Sequence, residues 1–170
     1  MSPTITVCTA GHRPHGIPGL DGGREHYNTW NTLAKLVEAW IAQHQPGTVI
    51  TGMARGWDTI VAEAAIRYSI PLVCAIPFPG QIDKWPSLDK EIWARIIRYS
   101  HKCGKVHTIS PVYLSTVHQT RNQWMVDRAD AVLALWSGKP SGTANCVKYA
   151  QSQGKPVINF WTQFQSGTGV

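Results

Sequence analysis

The chain has 170 residues, with 16 Lys and Arg against 10 Asp and Glu, giving a formal net charge of +6 and a sequence pI near 9.3. This length predicts one domain over 1–162 and a flexible tail over 163–170, and no apolar run approaches the roughly 20 residues that span a bilayer. The positive excess suits an anionic partner, but it is not gathered into a basic run, so nucleic acid is allowed and not required.

Met1-Ser-Pro-Thr4 leads straight into a strand pattern, Ile5–Ala10, which predicts no signal peptide. Helical periodicity follows over Asn31–Gln43, with Leu33, Val37, Trp40 and Ile41 on one side. A strand at Thr48–Thr51 precedes a helix at Trp57–Ser69, and a strand at Leu72–Ile76 precedes a helix at Leu88–Lys102. A strand at Lys105–Ile109 comes next, then a helix at Gln119–Ala129 and a strand at Ala131–Trp136. A helix at Gly142–Gln153, stopped by Gly154 and Pro156, leads into a last strand at Val157–Phe160. Several strands are continuous apolar runs, as expected when both faces of a sheet are covered. The alternation predicts an α/β fold: a Rossmann-like three-layer αβα sandwich with a mostly parallel sheet.

In such a fold, ligands bind beyond the carboxyl ends of the strands. The loops there are Thr9–Pro14, Gly52–Asp58, Pro77–Trp85 and Ser137–Thr143, and each is rich in Gly, Arg, Lys, Ser or Thr. Gly52 and Gly56 let the backbone turn sharply before a helix whose free N–H groups suit an anion, and Arg55 adds a full charge there. Asp58 falls in the first helical turn, where it either caps the dipole or binds a ribose hydroxyl. Ser137-Gly138-Lys-Pro-Ser141-Gly142-Thr143 repeats the logic, with Gly142 and Thr143 placed to cradle a phosphate. Phe78 and Trp85 offer a stacking surface for a base and Gln81 a polar reader, with core packing as the alternative. Arg121 and Asn122 lie on the fourth helix, where Arg121 is placed to pair with a phosphate and Asp127 to cap or hold an arginine. The loop Pro14–Gly23 reads as a mobile segment able to close over a ligand. Cys8, Cys74, Cys103 and Cys146 form no CxxC pair and read as free buried thiols of a cytoplasmic protein. The seven histidines show no HxH or HExxH spacing, so no metal and no obligatory cofactor is expected.

The segments Thr9-Ala-Gly-His-Arg-Pro14, Ile50-Thr-Gly-Met-Ala-Arg-Gly-Trp-Asp58, Ala75-Ile-Pro-Phe78, Arg121-Asn-Gln-Trp-Met-Val-Asp-Arg-Ala-Asp130 and Trp136-Ser-Gly-Lys-Pro-Ser-Gly-Thr143 resemble the SLOG superfamily. Its members include the DNA-processing DprA/Smf proteins and the LOG nucleotide hydrolases, and the YpsA-like branch is the most similar in pattern. The resemblance adds Gly11, His12, Arg13 and Met53 to the expected ligand contacts. It implies a nucleotide-derived ligand at the strand ends, of the ADP-ribose-like or cyclic-nucleotide class. It further implies a sensor or sequestering role, extending to phage–host immune signalling, and assembly as a homo-oligomer, dimer or tetramer. LOG enzymes carry a catalytic Glu after the Pro-Gly-Gly-x-Gly-Thr loop, whereas Ala144-Asn145-Cys146 follows Thr143 here. A nucleotide hydrolase reading therefore falls on Glu63, Asp58 or Asp127. DprA-like single-stranded DNA binding is the second alternative, and no membrane partner is expected.

Overall fold

Short apolar strands alternate with helices along the chain, and every strand pairing is parallel. The computed structural model describes residues 4–167. The strands are β1 (Thr6–Gly11), β2 (Thr48–Thr51), β3 (Leu72–Ile76), β4 (Gly104–Thr108), β5 (Ala131–Leu135) and β6 (Val157–Asn159). The helices are α1 (His26–His44), α2 (Trp57–Arg67), α3 (Ser87–Cys103), α4 (Val117–Asp127), α5 (Gly142–Ser152) and α6 (Trp161–Gln165). The sheet runs β4-β3-β2-β1-β5-β6. Chain order therefore reverses beside β1, which has β2 on one side and β5 on the other. Loops leaving β1 and β5 part at that point and open a crevice, as in other doubly wound sheets.

Alternation of side chains along each strand feeds two cores. Val7, Val49, Leu72, Cys74, Leu133 and Leu135 point to one face, where they meet Leu33, Val37 and Ile41 of α1, Ile60 and Val61 of α2 and Ile96 of α3. Cys8, Ala10, Ala75, Val132 and Ala134 point to the other, against Met125 and Val126 of α4 and Cys146, Val147 and Ala150 of α5. This is the expected Rossmann-like three-layer architecture, with an all-parallel sheet. Trp57 is fully buried at the start of α2, and its Nε1 donates to the Leu133 carbonyl of β5 at 3.0 Å. That bond ties α2 across β1 to the far side of the sheet.

Several local expectations change. α1 begins at His26, well before Asn31, because its first turn carries no apolar period to announce it. The Pro14–Gly23 loop is pinned: Ile17 and Leu20 are buried in the core under α1. Trp40 is half-buried: it packs against the rim of the first core and stacks on His44 at 4.3 Å. Cys103 is exposed at the end of α3, unlike the other three cysteines. The expected tail is helical as far as Gln165, while 168–170, like 1–3, lie outside the described residues. Among the described residues no helix is long and apolar enough to cross a membrane.

Candidate functional site

The β1–β5 ladder ends at the pair Gly11 and Leu135. Beyond it, His12 straps the two loops together. Its Nε2 accepts a bond from the Ser137 backbone N–H at 3.0 Å, and the Ser137 hydroxyl lies at the same distance. Accepting a backbone N–H through Nε2 leaves the neutral ring's proton on Nδ1. Burial, and then the charges of His15 and Lys139, lower the His12 pKa and keep the ring neutral. The ring also packs edge-on against Trp161.

The turn into α2 is dense. A Cβ on Gly11 would lie 2.4 Å from the Trp57 side chain, so β1 needs glycine there. Gly56 has φ +91°, and the buried Met53 adopts φ +58°, a left-handed conformation unusual for methionine. The Thr51 hydroxyl accepts from the Met53 N–H at 3.2 Å and donates to the Asp58 carbonyl at 3.1 Å, which holds that turn. Asp58 Oδ2 accepts from the Ala54 N–H at 3.2 Å, and the Trp57 N–H reaches the His12 carbonyl at 3.4 Å. The positive end of α2 thus meets Asp58 and the β1 loop. Arg55 is paired through Nε with Asp89 Oδ2 of α3 at 2.9 Å. The anion seat expected at Arg55 and Gly56 is accordingly filled by groups of the chain itself.

The end of α5 is different. Ser141 caps it through its hydroxyl, which accepts from the Ala144 N–H at 3.1 Å. Gly142 is exposed, and a Cβ there would meet nothing within 4 Å. Ser141, Gly142 and Thr143 line a cleft of about 360 Å3 together with Thr9, Gly11, His12, Arg13, Asp58, His118, Arg121, Asn122 and Cys146. Arg121 forms its floor. The residue is only 6% exposed, and its guanidinium donates through Nη1 to the Gly52 carbonyl and through Nε to Asn122 Oδ1 at 3.1 Å. It makes no ion pair among the described residues. Burial lowers its pKa and the nearby Asp58 charge opposes that shift. Burial in turn raises the Asp58 pKa, opposed first by Arg121 and then by the Thr9 hydroxyl. Cys146 beside them is pushed up to about 12 by burial and stays a thiol.

A second lobe of about 540 Å3 adjoins the first, sharing Arg13, His15, Ala54 and His118 with it and adding Asp21, Arg55, Phe78, Gln81 and Trp85. Phe78 packs edge-on against Tyr113 and His118. Gln81 is held by its Nε2, which donates to the Gly52 carbonyl at 3.1 Å. His118 is driven down to about 4, by burial first and then by the charges of Arg121 and Arg13, and is neutral at ordinary pH.

Most of the expected ligand contacts therefore converge on one bilobed cleft. Met53 and Gly52 lie beneath it as supports. Ser137 faces His12, and Gly138 sits on an exposed turn with φ +90°. Two of the candidate carboxylates are elsewhere: Glu63 pairs with Arg95 of α3, and Asp127 is exposed and accepts from the Tyr149 hydroxyl. Asp58 alone of the three lines the cleft. Sequence reasoning placed Thr9, His15 and Asp21 only within its loops Thr9–Pro14 and Pro14–Gly23, and missed His118 and Cys146. For His118 a signal existed, since it precedes Arg121 by three residues and so shares its helix face.

An all-parallel sheet with a polar, cationic cleft where its strand order reverses defines a Rossmann-like α/β domain. The family described as DNA recombination-mediator protein A matches residues 17–169, and the chain belongs to that family; it thereby falls within the SLOG superfamily. It is 27% identical over 134 residues to the uncharacterized SPbeta prophage-derived protein YoqJ of Bacillus subtilis, covering 70% of this chain and 78% of that one. Its fold is similar to DNA processing protein A of Streptococcus pneumoniae, with a TM-score of 0.63 at 17% identity, covering 92% of this chain and 50% of the other. The Helicobacter pylori protein, whose structure is described as showing a single-stranded DNA binding mode, gives a TM-score of 0.62 at 17% identity, covering 91% and 64%. The chain thus spans half to two-thirds of those DNA-processing proteins.

Proposed function

We propose that the cleft binds a nucleotide-derived small molecule of the ADP-ribose-like or cyclic-nucleotide class, and that the chain acts as a sensor or sequestering protein. The observation that carries this reading is Arg121: a buried guanidinium without an ion-paired carboxylate, on the floor of a cleft rimmed by the open N-terminus of α5. The cost of burying this charge is only partly offset by Asp58, and a bound phosphate supplies a further partner. The adjoining lobe, with Phe78, Trp85 and Gln81, is of a size and character to take a base. The motifs at Thr9–Pro14 and Ile50–Asp58 favour the YpsA-like branch. The prophage origin of the B. subtilis relative supports a role in phage–host nucleotide signalling. Assembly as a dimer or tetramer belongs to the same reading, and light scattering on the purified chain tests it.

The test is mass spectrometry of molecules released by heating the protein after incubation with a panel of nucleotides, ADP-ribose derivatives and cyclic dinucleotides. Near-stoichiometric recovery of an intact nucleotide is expected. Recovery of a converted product makes the chain an enzyme, and recovery of nothing overturns the reading.

A second reading, single-stranded DNA binding, is favoured by the family match and by the H. pylori relative. It requires retention of an oligonucleotide whose affinity falls steeply with salt. Absent or salt-insensitive retention excludes it.

A further inference from the structure

Arg55 carries a charge that the first lobe does not use. It lines the second lobe from the entry turn of α2, and its partner Asp89 lies in the first turn of α3. The two side chains are 36% and 28% exposed, while Arg55 Nε itself is buried and makes no aligned hydrogen bond, so the pair is held by charge without good hydrogen-bond geometry. Such a contact exchanges readily for a better anion. Arg13 lines both lobes, is exposed and makes no ion pair among the described residues. Because it lines both lobes, it lies where they adjoin. The first lobe has a separate anion-holding set, the nine-tenths buried Arg121 and the open end of α5.

From this arrangement we infer that the cleft takes a ligand with two separated anionic groups, one per lobe, and that Asp89 is the internal anion which the second group displaces from Arg55. The inference rests on the proposed nucleotide reading and narrows it. A molecule with phosphates on either side of a nucleoside, such as a linear or cyclic dinucleotide, fits both cation sets. A nucleoside monophosphate sets its one phosphate on the first set, and only its base reaches the second lobe.

The two are separated by calorimetric titration of AMP and of the linear dinucleotide pApA into the wild-type chain and into Asp89→Asn and Arg55→Gln variants. Asp89→Asn removes the competing charge and tightens pApA several-fold while leaving AMP unchanged. Arg55→Gln weakens pApA roughly tenfold, the scale of one charge-assisted contact, and changes AMP far less. Both variants alter a partly exposed pair, and their melting temperatures check that they fold. Equal effects on AMP and pApA, or pApA binding that neither substitution alters, overturn the two-anion inference and leave the nucleotide reading standing. If the wild-type chain binds neither probe nor any member of the nucleotide panel, the nucleotide reading falls and takes the inference with it.

Discussion

Arg121 and Gln81 donate to the same carbonyl oxygen, that of Gly52. One comes from α4 and the other from the loop after β3, and a carbonyl has lone pairs for both. The floor of the first lobe and the wall of the second are therefore held at a single backbone position. Gly52 has to be glycine for this to work, since a Cβ there would lie 2.6 Å from the guanidinium. Gly52→Ala is expected to cost about 1–3 kcal/mol by overpacking and to abolish nucleotide retention. Urea denaturation and the mass-spectrometric assay measure the two effects.

Arg121→Met tests binding and folding together. It removes the charge that opposes the effect of burial on Asp58 and the donor to Asn122 Oδ1, and taking one member out of a buried charged set is destabilising. The variant is expected to melt below the wild-type temperature and to lose ligand. Ligand retention at the wild-type level would contradict the role given to this residue.

Acid should destabilise the protein in part through His118. Its folded pKa of about 4 lies below the ordinary 6.5. As pH falls, the unfolded chain takes up the proton first. Stability present above 6.5 is accordingly lost as pH drops toward 4. His118→Gln does not titrate, so the stability of the wild type relative to the variant declines between about pH 7 and about pH 4.5. Urea midpoints at the two pH values give that difference, and a constant gap would refute it. Partial exposure of the ring limits the size of the effect.

Trp57→Phe tests the bond across the sheet. The ring volume is partly kept, but the buried Leu133 carbonyl loses its Nε1 donor. A loss of about 1–3 kcal/mol is expected, read as a lower urea midpoint with an unchanged slope.

The layers of this fold were legible because strands covered on both faces become continuous apolar runs, and because the helices between them show a 3.6-residue period. What local pattern could not show was the first turn of α1, which is polar and aromatic, and α6, which is too short to have a period. The site divides along the same line. Its loops were found from glycine and polar residues at strand ends. The choice of partners was not, because it is made between distant segments: Arg55 with Asp89, Glu63 with Arg95, and Arg121 with a backbone carbonyl. Those choices decide which charges remain available to a ligand.

His12 and Ser137 meet across 125 positions of sequence. A molecule seated beside them, between the loops after β1 and β5, would act as a removable staple between the opening and closing parts of the chain. Unfolding would have to release it, so occupancy adds to the stability of the entire domain, by about 2.7 kcal/mol at roughly a hundred times the dissociation constant. Resistance to heat would then become a gauge of ligand concentration, and a cell extract that raises the melting temperature would carry a molecule that binds the native fold.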